Sequence, residues 1–121
     1  MIPFKIEMGE AVGGIAVVAL SGRLNAVSAP SAKDRLKAVL REVSRDLVLD
    51  LAELAFIDSS GLAALVAAYK ASVEAGGNLK LARVPPQVAQ VFSLTRLDRV
   101  FDIFPDLGTA LKSFPPGRPA P

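Results

Sequence analysis

The residues of this chain best suited to chemistry lie in one short run, Asp58-Ser59-Ser60-Gly61-Leu62. A carboxylate, two adjacent hydroxyls and a glycine, placed directly after the apolar pair Phe56-Ile57, are the residue types that open an α-helix. At the cap position Asp58 accepts a backbone N–H with its carboxylate. Ser59 and Ser60 then fall in the first turn, where N–H groups lack intrahelical partners. Gly61 leaves the backbone there uncovered by any side chain. An exposed hydroxyl in this position suits a phosphate, because the helix dipole and the free N–H groups favour the added charge of about −1.5 to −2. The same four residues are also ordinary N-cap chemistry, and taken alone they do not choose between the two roles.

Other chemistries are narrowed by what is missing. The 121-residue chain has no histidine and no cysteine. Ser-His-Asp and Cys-His catalysis, a disulfide framework, and a zinc site built on imidazole or thiolate are therefore excluded. A serine–lysine pair is the nucleophilic arrangement that stays open. Asp50, Glu53 and Asp58 cluster in sequence, but Asp50 reads as part of a strand and the other two as in or beside a loop. No glycine-rich phosphate loop is present. The chain reads as a non-enzyme with no cofactor and no metal. Its net charge of +2 comes from 14 basic and 12 acidic residues, and no window gathers five or six like charges, so no nucleic-acid surface is indicated. The start lacks the pattern of a secretory signal. The longest uncharged runs, residues 11–22 and 59–69, fall short of the ~20 residues that cross a bilayer. With 51% hydrophobic and 21% charged residues and a mean hydropathy of +0.41, the expectation is one soluble, cytoplasmic domain with no membrane insertion.

The elements that must position the run follow from hydrophobic period and breakers. Residues 2–8 and 15–20, joined through Gly9, Gly13 and Gly14, read as a strand pair. Leu36, Val39, Leu40 and Val43 recur as one face of a helix, with Lys33, Arg35, Lys37 and Arg41 on its other sides. Ser28 is its expected cap, and Pro30 is tolerated in its first turn. Of the basic residues, Arg35, Lys37 and Arg41 form a face that either steers an acidic partner or is simply solvated. Residues 47–51 read as a short buried strand, followed by a loop ending at Asp58. Leu62, Leu65, Val66, Tyr69 and Val73 then form a second helical stripe, stopped by Gly76-Gly77. Residues 79–84 alternate as a strand. Pro85-Pro86 opens a helix with Val88, Val91 and Phe92, residues 101–104 form a last strand, and residues 106–114 a closing helix. The order β-β-α-β-α-β-α-β-α implies an α/β domain over residues 1–114 with parallel pairing and right-handed crossovers. The proline-rich residues 115–121 are expected to be a disordered tail.

The run from Leu47 to Leu62 resembles the phosphorylation region of the STAS-domain anti-sigma factor antagonists, bacterial proteins also called anti-anti-sigma factors. The pattern is a hydrophobic strand, a short loop, Asp-Ser-Ser/Thr-Gly-Leu, and an amphipathic helix ending in Gly-Gly before the next strand. Further matches are Leu20-Ser21-Gly22-Arg23-Leu24-Asn25 after the second strand and residues 86–97 before the last one. The resemblance covers roughly residues 2–113. It implies the STAS fold, a small mixed sheet of about five strands with about four helices packed on it. It also implies partner switching. In that scheme the unmodified protein binds an anti-sigma factor that is itself a serine kinase and so releases a sigma factor. Phosphorylation by the kinase weakens the complex, and a PP2C-type phosphatase restores it. By position in the motif the phosphoacceptor maps onto Ser59, with Ser60 as fallback, and Asn25, Asp58, Ser60, Gly61 and Leu62 map onto the partner-binding surface. Asn25 stands where many members carry aspartate; it is either partner-facing or a turn residue and cap. A second role open to this family is that of a non-catalytic partner subunit of a transporter ATPase or a signalling scaffold.

Overall fold

A computed structural model describes residues 3–115 of the chain. The elements run β1 (Lys5–Met8), β2 (Ala16–Leu24), α1 (Ala29–Glu42), β3 (Leu47–Ile57), α2 (Ser59–Glu74), β4 (Leu79–Ala82), α3 (Pro86–Leu94), β5 (Ile103–Phe104) and α4 (Leu107–Lys112), with a 3₁₀ turn at Leu97–Arg99 between α3 and β5. The five strands lie in sequence order across one sheet. β1 pairs antiparallel with β2, and all later neighbours pair parallel. This is the expected mixed sheet with helical crossovers. The sequence pattern misses the 3₁₀ turn, which is too short to have a period.

Both faces of the sheet are covered in its second half. On one face Val18 and Leu20 of β2, Leu49 and Leu51 of β3 and Leu81 of β4 pack beneath Leu36 and Leu40 of α1, Leu62 and Leu65 of α2, and Val88 and Phe92 of α3. On the other, α4 brings Ala110, with Phe114 just beyond its end, over Val48 and Ala82. Double coverage explains why β4 has all four residues buried instead of the alternation read from its sequence. Lys80 is the cost of that burial, and it is solved locally. Its Nζ donates to Ser113 Oγ at 2.9 Å and to the Ser113 carbonyl at 3.2 Å, and lies 4.7 Å from the Phe114 ring centroid. Two residues read as core stripes fall outside: Val43 and Val73 are 44% and 48% exposed. Each lies at the C-terminal end of its helix, past the edge of the sheet below.

The largest departure from the sequence reading is β3. It does not stop at Leu51 but continues through the expected loop to Ile57. Its register with β2 slips twice, between Ala19 and Ser21 and between Gly22 and Arg23 of β2. The strand thus carries two extra residues as bulges, which bend it. Asp50 Oδ1 accepts from the Ala52 N–H at 3.1 Å beside the first slip, and the same carboxylate receives both Nε and Nη2 of Arg83. A fork of two charge-assisted bonds lets a carboxylate 8% exposed sit in a strand. The interaction holds the Arg83 guanidinium above its ordinary pKa, through the hydrogen bond first and the Asp50 charge second. The residue pattern keeps Asp50 in the strand but ends it at Leu51 and makes the stretch with Glu53 look like a loop; pairing with β2 through two bulges carries the strand on to Ile57.

Ser28 also departs from expectation. It occupies the N-cap position of α1 but makes no capping bond with its side chain. Its hydroxyl instead donates to the Arg23 carbonyl at 2.8 Å and accepts from the Asn25 N–H at 3.0 Å, closing the β2–α1 connection on itself. Pro115 is exposed and outside regular structure, while residues 116–121 of the expected tail lie outside the described residues.

The end of β3 fixes how α2 begins. A Cβ placed on Gly61 would stand 2.5 Å from the Leu24 carbonyl oxygen and 2.8 Å from Ile57 Cγ1, so α2 can approach β2 this closely only with glycine there. Gly108 in α4 is the internal contrast, since its Cβ would meet only Asp106 Oδ1 at 3.5 Å. Both substitutions to alanine gain helix propensity of up to about 1 kcal/mol, but at position 61 overpacking of about 1–3 kcal/mol outweighs it. Gly61→Ala is expected to lower the urea midpoint and Gly108→Ala to leave it unchanged or raise it. Equal midpoints for the two variants would show that the α2–β2 approach is loose.

Candidate functional site

The ends of two neighbouring parallel strands bring the candidate residues together. Leu24 of β2 pairs with Ile57 of β3, so the next residues, Asn25 and Asp58, emerge side by side at the C-terminal edge of the sheet. Asp58 is tied to this edge by its own N–H, which donates to the Leu24 carbonyl at 3.2 Å. Its backbone is extended, and its Oδ1 accepts from the Gly61 N–H at 3.0 Å, the expected side-chain cap. The Leu62 N–H closes the first helical bond onto the Asp58 carbonyl at 2.9 Å.

Those bonds leave the first turn of α2 with defined chemistry. Ser59 is exposed and Ser60 half-buried, while Gly61 and Leu62 are buried. Among the described residues neither serine hydroxyl is hydrogen-bonded within the chain. Asp58 takes the Gly61 amide, so the N–H groups of Ser59 and Ser60 are the donors left pointing outward at the positive end of a 16-residue helix. The two serines open to adjoining grooves that share Ala63 and Ala67 of α2. Ser60 lines a groove of about 380 Å³ between α1 and α2, with Ala26, Ala29, Lys33 and Ala63. Ser59 lines the neighbouring groove of about 480 Å³, with Leu62, Val66, Lys70 and Leu97.

Asn25 serves the turn. Its Oδ1 accepts from the Val27 N–H at 3.0 Å and the Ser28 N–H at 3.3 Å, an Asx turn. An aspartate there would accept the same two bonds, so asparagine keeps the geometry and removes a negative charge next to Asp58. Arg23, just before this turn, stacks its guanidinium 4.1 Å from the Phe56 ring centroid and ties the two strand ends together from the side. The carboxylates that cluster in sequence do not act together. Asp50 is occupied by Arg83 and Ala52, and Asp58 by Gly61. Among the described residues no group of three acidic side chains could hold a metal ion, and no helix is long and apolar enough to cross a membrane.

Sequence reasoning missed Leu97 and Lys33. Leu97 reaches the Ser59 groove from the 3₁₀ turn and had no periodic signal. Lys33 was visible as a helix residue, but the face it shares with α2 depends on how the two helices pack.

The STAS domain model matches residues 8–110. The anti-sigma F factor antagonist of Paenibacillus polymyxa is 31% identical over 108 residues, spanning 88% of this chain and 92% of that protein. The anti-sigma-B factor antagonist of Bacillus subtilis is 31% identical over 86 residues, spanning 71% and 78%. Among solved structures, an anti-sigma factor antagonist from Mycobacterium paratuberculosis superposes with a TM-score of 0.75 at 29% identity, covering 90% of this chain and 93% of that one. The mixed five-stranded sheet, the capped serine turn between two grooves and these matches agree: the chain is a STAS domain and belongs to the family of anti-sigma factor antagonists.

Proposed function

We propose that this chain is a phosphorylation-controlled antagonist of an anti-sigma factor. In its unmodified form it binds an anti-sigma factor serine kinase across the first half of α2 and so releases the kinase's sigma factor or other target. The kinase turns the complex off by phosphorylating Ser59, and a PP2C-type phosphatase turns it on again. The work is regulatory binding in the cytoplasm, with the chemistry supplied by the partners. The observation that carries this reading is Ser59 itself: an exposed, unbonded hydroxyl on the first residue of a capped helix, beside an apolar groove.

The electrostatics fit an off-switch. Phosphate on Ser59 adds a charge of about −1.5 to −2 next to the Asp58 carboxylate. In the free chain that charge faces water, the outward N–H groups and the positive helix end, which favour it by about 0.3–1 kcal/mol. In a complex the same charge must be desolvated or repelled, at a cost of several kcal/mol where no countercharge meets it. Modification therefore weakens the complex without unfolding the domain. Ser60, half-buried in the adjoining groove, is the weaker candidate.

Intact-mass measurement after incubation with ATP and an anti-sigma kinase is expected to show one added phosphate, mapped to the peptide carrying Ser59 and absent from Ser59→Ala. Phosphate retained by Ser59→Ala would move the acceptor to Ser60, and none on the wild type, with the kinase active on another substrate, would overturn the reading. Ser59→Asp is expected to bind the kinase at least about tenfold more weakly while its thermal midpoint stays within a few degrees of the wild type. Undiminished affinity would sink the electrostatic account, and a collapsed midpoint would assign the effect to folding.

A further inference from the structure

The basic face of α1 gains a definite place once the helices are packed. Arg35 leaves it, because its Nη2 turns to the Ile6 carbonyl of β1 at 3.3 Å. Lys33 takes its place, since it lines the groove between α1 and α2 together with Ser60 and Ala63. Lys37 and Arg41 follow at intervals of four residues, which puts them on successive turns of nearly the same side of α1. Like charges at this spacing disfavour the helix that carries them. Among the described residues none of the three makes a salt bridge, and no acidic side chain lines the groove. The groove floor is alanine and proline, and its neighbour Val27 is 89% exposed. The groove itself carries one charge, Lys33, with Lys37 and Arg41 continuing along the same side of α1 beyond it and only Asp34 nearby among acidic residues of α1's first half, a largely basic approach to an apolar trough.

We infer that the α1–α2 groove receives an acidic amphipathic segment of the anti-sigma partner, its apolar side chains over Ala29, Ser60 and Ala63 and its carboxylates against Lys33, Lys37 and Arg41. This rests on the partner-binding reading above and adds the partner's chemistry and a second contact, on the Ser60 side of α2 next to the Ser59 groove. It also gives the phosphate a reason to act at a distance. A negative charge at the start of α2 reduces the attraction of the whole surface for an acidic partner.

The test uses Ser59→Ala as background, so that phosphorylation cannot alter binding during the measurement, and the anti-sigma kinase that phosphorylates Ser59 as the probe. Calorimetry at low and high salt compares this chain with Lys33→Glu/Lys37→Glu, and with Lys5→Glu/Lys112→Glu as a control of equal charge change on exposed residues of β1 and α4. The expected result is about tenfold weaker binding for the α1 pair at low salt, shrinking as salt rises, with the control within about twofold of the parent. Equal weakening by both pairs would reduce the effect to net charge and overturn the inference. An α1 pair that binds like the parent would overturn it while leaving the Ser59 switch standing. A kinase that neither binds nor phosphorylates the wild type would remove both. Circular dichroism of each variant separates lost helix from lost contact.

Discussion

The contact on which the site depends is the docking of the first turn of α2 against the end of β2. The Asp58 N–H holds the Leu24 carbonyl at 3.2 Å, and a residue with a side chain at position 61 would drive its Cβ into that same oxygen. One carbonyl thus sets both where α2 starts and how near it lies. Everything functional follows from this spacing. Asn25 and Asp58 become neighbours, the serines are held at a capped helix end, and α1, which begins a few residues after Leu24, is brought alongside α2 to form the Ser60 groove.

For that docking to occur, β3 must deliver Ile57 opposite Leu24 although it covers more residues than β2 between the same two rows of the sheet. From the Ala16–Leu47 pair to the Leu24–Ile57 pair, β3 uses two residues more than β2. The bulges absorb the surplus. The first is backed by Asp50, which satisfies the Ala52 amide and is itself held by Arg83 at the end of β4. Arg83 sits at φ 57°, a left-handed conformation uncommon for a side chain with a Cβ. It is maintained here beside an Arg83 N–H bond to the Phe104 carbonyl at 3.0 Å and the fork onto Asp50. Because the Arg83 side chain is 47% exposed, the pair adds little stability by itself. What it does is satisfy the Asp50 carboxylate where the strand slips register.

Much of this was legible in the sequence because it rests on local rules. The order of elements follows from period and from glycine and proline breakers. The cap follows from Asp58, while the nearness of Asn25 to residues 58–62 was given only by the family resemblance. What was not legible depends on partners distant in sequence. The length of β3 was hidden because the bulges past Leu51 break its alternation and Glu53 looks like a loop residue, while the β2 partner that keeps it extended lies elsewhere in the sequence. The buried lysine of β4 reads as an exposed position until the turn at Ser113 arrives to accept its protons. Ser28 looks like a cap, but a hydroxyl has competing acceptors nearby, and the Arg23 carbonyl wins. The split of basic residues on α1, with Arg35 to β1 and Lys33 to the groove, is a packing outcome that helical spacing alone cannot assign.

The rigidity of the serine turn bears on how a single phosphate can control binding. A switch that works by movement needs two arrangements of similar free energy. Here the Asp58 cap, the Leu24 bond and the tight glycine contact all hold the turn in the arrangement seen. On the proposed phosphorylation, what would change is charge. At about 10 Å from a partner carboxylate, an added unit charge costs roughly 0.4 kcal/mol in water and about 1.7 kcal/mol at the lower effective dielectric of a partly buried surface. A phosphate carries about two charges and meets several such groups if the partner is acidic, so repulsion of a few kcal/mol accumulates without any one contact being decisive. Asn25 fits this economy: it keeps the turn that an aspartate would make but adds no negative charge of its own, which leaves the phosphate as the larger change in sign at the edge of the sheet. Under the proposed switch a fixed scaffold with a variable charge would suffice, and the resting charge contributed by Lys33, Lys37, Arg41 and Lys70 would then matter alongside the serine.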